Sequence, residues 1–141
     1  MSDVAAGVLL SIVIPAYNYA QTLPRTVDSV VPQLAGDCEL IIIDDGSTDN
    51  TSQVIADLLQ KYPGKISTER KANGGAASVR NRGIEIARGD WLVFLDADDE
   101  MAEGAIKRIR EHLKDNPQTR FVAGGHISVN PSGKCSAHSP G

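Results

Sequence analysis

Leu40-Ile41-Ile42-Ile43-Asp44-Asp45-Gly46-Ser47 is four large apolar residues that stop abruptly at two acids, a glycine and a serine. With no polar face of its own, the run reads as a strand covered on both sides, as a central parallel strand is when helices pack above and below it. The residues after it are turn formers. Val54, Ile55, Leu58 and Leu59 then recur at helical spacing until Tyr62-Pro63-Gly64 halts them. Upstream, Val8-Leu9-Leu10-Ser11-Ile12-Val13-Ile14 is a second strand, predicted to stop at Pro15. Between the two strands, Leu23, Val27, Val30, Val31 and Leu34 predict a helix over residues 21–34, with Pro24 tolerated in its first turn and Pro32 ending or kinking its last.

Downstream the alternation continues. Residues 66–69 read as a short strand, Asn73-Gly74-Gly75 as a flexible break, and 76–87 as a helix closed by Gly89. Trp91-Leu92-Val93-Phe94-Leu95 is the next strand, and Ile106, Ile109 and Leu113 mark a helix over 103–114. Residues 121–123 and 127–129 are two further short strands by pattern, and 131–141 is expected to be a mobile tail. Strand–helix alternation of this kind predicts an α/β sandwich with a mostly parallel sheet and right-handed crossovers. Ligands of such sheets bind beyond the carboxyl ends of the strands.

Composition narrows the function classes. A chain of 141 residues fits one domain. Its charge, 14 − 18 = −4, argues against general nucleic-acid or anionic-membrane binding. Hydrophobic residues make up 41%, an ordinary globular share, and no apolar run approaches the ~20 residues of a membrane span. Cys38 and Cys135 cannot form a disulfide framework, so a reducing compartment is expected; nor does the amino-terminal stretch read as a signal peptide. His112, His126 and His138 lack metal-ligand spacing.

Three strand ends carry chemistry: Pro15-Ala16-Tyr17-Asn18, Asp44-Asp45-Gly46-Ser47-Thr48-Asp49, and Asp96-Ala97-Asp98-Asp99-Glu100. The last places four carboxylates within five residues. Two carboxylates ~6 Å apart repel by about 3 kcal/mol at an effective dielectric of ~20. Protonation, a cation or full hydration relieves such a cluster. Mg²⁺ or Mn²⁺ would suit it, because both take oxygen ligands and bind through carboxylates together with substrate phosphates. In an extended segment Asp96 and Asp98 point one way and Ala97 the other. The same residues also fit a solvated acidic loop. Asp44 and Asp45 suit acceptance of a base N–H; Ser47 or Asp49 suits capping of the next helix. Tyr17 fits stacking on a flat ring or a half-buried turn position. Asn73-Gly74-Gly75 before a helix can bring N–H groups to a phosphate, with Arg80 or Arg82 beside it. Neither a P-loop nor a dinucleotide-binding glycine pattern is present.

In order, Ser11 to Asn18, Ile41 to Asp49, Asn73-Gly74-Gly75-Ala76-Ala77-Ser78-Val79-Arg80-Asn81-Arg82-Gly83 and Gly89 to Asp99 resemble the motifs of family 2 glycosyltransferases with the GT-A fold. The resemblance runs from about residue 8 to about residue 130. It implies a Rossmann-like three-layer α/β/α sandwich, with residues 1–130 binding a nucleotide-diphosphate sugar, a UDP-sugar above all. It places Pro15, Ala16, Tyr17, Asn18, Asp44, Asp45, Gly75, Arg82, Asp96 and Ala97 around the donor, with Tyr17 against the base, Asp45 bonded to it and Asp96 near the ribose. Asp98, with Asp96, would hold Mn²⁺ or Mg²⁺ bridging the diphosphate.

The implied reaction passes the sugar to a hydroxyl of a glycan or lipid-linked acceptor with inversion, in the cytoplasm or at the inner face of a membrane. Family members continue well past this length, so the general base is expected beyond Gly141 and the chain is expected to be a donor-binding half. Two other readings stand beside this one. One is a non-catalytic nucleotide-binding or interaction module, which could use an uncovered sheet edge to form a homodimer. The other is a phosphohydrolase with an Asp nucleophile in Asp96-Ala97-Asp98, against which Glu100 stands where such enzymes carry Thr or Val.

Overall fold

The computed structural model describes residues 8–115, 126–129 and 135–138. The order is β1 (Val8–Ala16), α1 (Leu23–Val30), a 3-10 turn (Val31–Gln33), β2 (Cys38–Asp44), α2 (Thr51–Lys61), β3 (Ile66–Arg70), α3 (Ala76–Ile86), β4 (Gly89–Phe94), α4 (Ala105–Asp115), β5 (His126–Val129) and β6 (Cys135–His138). One sheet runs β3-β2-β1-β4-β5-β6. Its first four strands are parallel, with Ile12 beside Leu40 on one side and Val93 on the other. β5 joins β4 in parallel at Phe94 and His126, and β6 pairs antiparallel with β5.

The doubly apolar runs sit where both faces are covered. On one face Ile12, Ile14, Leu40, Ile42, Val93 and Leu95 pack with Leu23, Val27 and Val30 of α1, Ile55 and Leu58 of α2, and Ala105 and Ile106 of α4. On the other, Val13, Ile41, Ile43 and Phe94 lie under Val79 of α3. α3 comes close because Gly83 has no side chain: a Cβ there would meet Val13 Cγ1 at 3.1 Å and Phe94 Cε1 at 3.3 Å. At the amino ends of the strands, buried Ser11 donates to Glu39 Oε2 (2.6 Å) and accepts the Gly89 N–H (2.8 Å), joining β1, β2 and the start of β4.

Several boundaries differ from the sequence reading. β1 continues through Pro15 to Ala16 instead of stopping at Pro15. Its pairing with β4 ends at Val13 and Phe94, so the missing N–H of Pro15 falls past the two-sided part of the ladder. The first helix is shorter than 21–34: it closes at Val30, and Pro32 sits in the 3-10 turn that follows. Residues 121–123, read as a strand, lie outside the described residues, and Cys135–His138 forms β6 within the stretch read as a tail.

The chain steps outward from β1 to β2 to β3, then crosses back to lay β4 on the opposite side of β1. That reversal puts the topological switch point at the carboxyl ends of β1 and β4, the place where open α/β sheets bind ligands. The three motif-bearing strand ends meet there.

Candidate functional site

The first two strand ends are laced together. Asn18 adopts a left-handed conformation (φ 59°), which a short polar side chain tolerates. Its Oδ1 accepts the N–H groups of Thr48 (2.8 Å) and Asp49 (3.2 Å), and its own N–H donates to Ser47 Oγ (2.9 Å). Asp49 in turn accepts the Thr51 N–H at 2.9 Å, which starts α2. Ala16 is buried, and its carbonyl takes the Asp45 N–H. Tyr17, between them, leaves 43% of its surface exposed.

The two adjacent acids face different partners, as successive residues leaving a strand must. Asp44 is buried; it accepts the Ser47 N–H (2.9 Å) and an Arg70 guanidinium N–H (2.9 Å). Asp45, also buried, turns to the glycine loop. Its Oδ1 accepts the Gly74 N–H at 3.0 Å and the Lys71 ammonium at 3.1 Å; its Oδ2 accepts the Gly75 N–H at 3.0 Å and Asn73 Nδ2 at 3.4 Å. Burial opposes ionisation of Asp45, but the Gly74 N–H, the Lys71 ammonium and the Gly75 N–H together outweigh it and hold the carboxyl below its ordinary value. The N–H groups expected to face a phosphate therefore donate to a side chain that already supplies the negative charge. A carboxylate offers about four acceptor directions, and here four donors occupy them.

Gly46 makes this contact between loops possible. Its φ is +72°, and a Cβ there would stand 2.7 Å from the Asn73 backbone nitrogen. Gly46→Ala is expected to cost about 2–3 kcal/mol, from the left-handed penalty plus displacement of the Asn73 strand of the loop. Urea denaturation measures it, and a loss under about 0.5 kcal/mol would contradict the contact.

The third strand end is acidic and turned outward. Leu95 and Ala97 are buried while Asp96 and Asp98 are exposed and Asp99 is partly so. The Asp99 N–H donates to the Asp96 carbonyl (3.0 Å), closing a tight turn. Carboxylate oxygens of Asp96, Asp98 and Asp99 lie within 4.8 Å of one another. Among the described residues, no arginine or lysine ion-pairs with Asp96 or Asp98; the nearby Arg25 pairs with Glu100 at 3.5 Å. An all-oxygen donor set of this kind fits a hard divalent cation, which Asp96, Asp98 and Asp99 could hold together. Behind the turn, the Ala97 carbonyl accepts hydroxyls from Thr22 and Thr26 of the α1 region, each at 2.9 Å.

Other expected residues are placed differently. Arg82 pairs with Glu69 of β3, through Nε and through Nη2 at 2.7 Å, and more loosely with Glu85, so its guanidinium is committed to the flank of the sheet. Arg80 lies over the Phe94 ring, 5.7 Å from its centroid. Pro15 stands within β1 beside Ile43. The sequence reading passed over Lys71, Asn73, Thr22 and Thr26. The threonines carried no signal of their own, since Thr22 precedes the helix and α1 also bears Arg25, Asp28 and Ser29; Lys71 carried none beyond its place before the glycines.

Residues 11–135 match the model of glycosyl transferase family 2. An uncharacterized glycosyltransferase of Nostoc sp. is 42% identical over 102 residues, covering 72% of this chain and 32% of that protein. Chondroitin synthase of Pasteurella multocida is 40% identical over 131 residues, 92% of this chain and 13% of the synthase. A PGL/p-HBAD biosynthesis glycosyltransferase of Mycobacterium tuberculosis is 33% identical over 123 residues, 86% of this chain and 48% of its own. The chain thus spans less than half the length of each of these relatives. Among solved structures, Staphylococcus aureus TarS 1-349 in complex with UDP-GlcNAc superposes with a TM-score of 0.68 at 25% identity, over 77% of this chain and 32% of that one. The mannosyltransferase PcManGT of Pyrobaculum calidifontis, in complex with GDP-Man and Mn²⁺, superposes with a TM-score of 0.68 at 21% identity, over 74% and 32%. Both share the GT-A architecture of this sheet.

Proposed function

The chain belongs to glycosyl transferase family 2, and we propose that these residues form the donor-binding part of an enzyme that transfers a sugar from a nucleotide diphosphate, a UDP-sugar, to an acceptor hydroxyl with inversion. The observation that carries this reading is the convergence of Asp96, Asp98 and Asp99 at the switch point. Placement at the carboxyl ends of β1 and β4 supports it, as does likeness to a TarS structure that holds UDP-GlcNAc at 25% identity.

In this reading the nucleobase lies against Tyr17, which is exposed. Asp45 keeps the glycine loop in place, and a base N–H reaches its carboxylate by displacing the longest of its four contacts, the 3.4 Å one from Asn73. Asp96 faces the ribose and Asp98 holds Mn²⁺ or Mg²⁺. A cation bound there would supply charge stabilisation to the departing diphosphate. The acceptor, a glycan or lipid-linked sugar, needs a general base to take its proton, and no residue described here is assigned that role. No helix among the described residues is long and apolar enough to cross a membrane. The site of action is the cytoplasm or the inner face of a membrane, where nucleotide sugars are available.

Titration calorimetry with UDP tests this. Binding is expected with Mn²⁺ present, and at least tenfold weaker binding in chelator. No heat under either condition would overturn the reading.

A further inference from the structure

Beyond Leu95 the backbone leaves the sheet and runs along α1 before α4 begins, so its polar groups need partners other than strands. A polar stripe supplies them. Thr22, Thr26, Ser29 and Gln33 recur at spacings of four, three and four along α1 and the turn after it, which places them on one side. Thr22 donates to the Ala97 carbonyl. Ser29 Oγ accepts the Met101 N–H at 2.8 Å, and Gln33 donates to the Ala102 carbonyl (2.9 Å) while accepting the Ile106 N–H (3.2 Å). Thr26 is the centre of the row. It is 1% exposed, and its Oγ1 lies 2.9 Å from the Ala97 carbonyl oxygen and 2.5 Å from that of Asp99.

Those two carbonyls belong to the peptide groups just before Asp98 and just after Asp99. The Thr26 hydroxyl has one proton for these two acceptors, with the shorter contact at Asp99, and Thr22 brings a second proton to Ala97; together they draw both carbonyls toward α1, while the side chain of Asp98 is exposed and that of Asp99 partly so. The arrangement opposes a real force: three carboxylates within 4.8 Å repel one another, and an unanchored turn would spread. We propose that Thr26 is a positioning residue for the acidic turn, its hydroxyl holding the carboxylates in convergence before a cation arrives. The inference rests on the donor-binding reading above. It adds to that reading a residue that touches neither nucleotide nor metal. Preorganisation of this sort raises affinity by removing the ordering cost at the moment of binding.

Thr26→Val keeps the shape and removes the hydroxyl; Thr26→Ser keeps the hydroxyl. Mn²⁺ affinity in the presence of UDP, read by electron paramagnetic resonance of the free ion, is expected to fall about tenfold or more in Thr26→Val and to stay within about threefold in Thr26→Ser, as for other groups that orient metal ligands. UDP affinity in chelator, read by calorimetry well below the melting temperature, is expected to be the same in all three proteins. A threonine that only stabilised the fold would weaken both affinities together or neither. Wild-type Mn²⁺ affinity in Thr26→Val, or a matching loss of metal-free UDP affinity, overturns the proposal. If Thr26→Val does not fold, Thr22→Val, at a half-buried position with one of the two bonds to Ala97, takes its place with an expected loss of about threefold. A wild-type chain that takes up no Mn²⁺ beside UDP defeats the donor-binding reading itself, and this inference with it.

Discussion

Asp98→Ala is expected to reduce UDP affinity in the presence of Mn²⁺ by about 30–100-fold and to leave it unchanged in chelator. The size follows from elementary electrostatics. A unit charge about 4 Å from a dication is worth about 2 kcal/mol in the dielectric of water and about 8 kcal/mol at an effective value of 20. Asp98 is exposed, so the lower end applies, and two other carboxylates remain to hold the ion. A loss near the lower figure corresponds to the stated range. The same change predicts the opposite sign for stability. Without a cation the acidic turn is a cluster of like charges, so removing one should leave the melting temperature in chelator unchanged or slightly raised. Calorimetry and thermal unfolding on the same preparations separate the two effects. A variant that binds UDP with Mn²⁺ within threefold of wild type would show that the acidic turn is only a solvated loop.

What the sequence disclosed and what it hid divide along a physical line. Apolar runs such as Leu40 to Ile43 announce burial on both faces, and the abrupt change to charge at Asp44 and at Asp96 announces the strand ends. The alternation of strand and helix is a local pattern, so the parallel sheet was legible. The outward Asp96 and Asp98 with Ala97 turned inward match the expected alternation, but a tight turn closed by the Asp99 N–H on the Asp96 carbonyl, not an extended segment, is what brings the carboxylates within 4.8 Å. Partnerships across long stretches of chain were not legible. Nothing in Asp44-Asp45 says that the first braces Ser47 and Arg70 while the second holds a loop 29 residues away. Arg82 looked like a phosphate ligand because helix position and charge type are visible in sequence. That Glu69 of β3 stands opposite it is visible only in three dimensions. The hydroxyl row on α1 was hidden for the same reason: its partners lie about 70 residues downstream, and a threonine on a helix announces no target.

The second large effect is at Asp45. Asp45→Asn is expected to destabilise the chain by about 2–4 kcal/mol at neutral pH. The site presents four donors to the side chain: the Gly74 and Gly75 N–H groups, the Lys71 ammonium and the Asn73 amide. An asparagine places its own N–H₂ where one carboxylate oxygen was, so donors face donors, and the mostly buried Lys71 ammonium loses its counter-charge. Hydrogen bonds to a charged acceptor contribute about 1.5–3 kcal/mol each at most, and breaking a buried pair from one side costs about 3–5 kcal/mol. The estimate stays below their sum because the loop can relax toward water. Urea denaturation reads it as a lower midpoint with the slope unchanged.

The pH dependence supplies an independent check. The native carboxyl of Asp45 lies below its ordinary value, so the unfolded chain binds the proton more readily than the folded one. The stabilisation is therefore complete above the ordinary carboxylate range, near pH 4, and drains away as pH falls through the depressed native value. Asparagine has no proton to take up. The gap between wild type and Asp45→Asn should then be widest near pH 7 and narrow steadily below about pH 4. A gap of constant width down to pH 3 would mean that Asp45 acts through shape alone, and that its charge is not what ties the glycine loop to the end of β2.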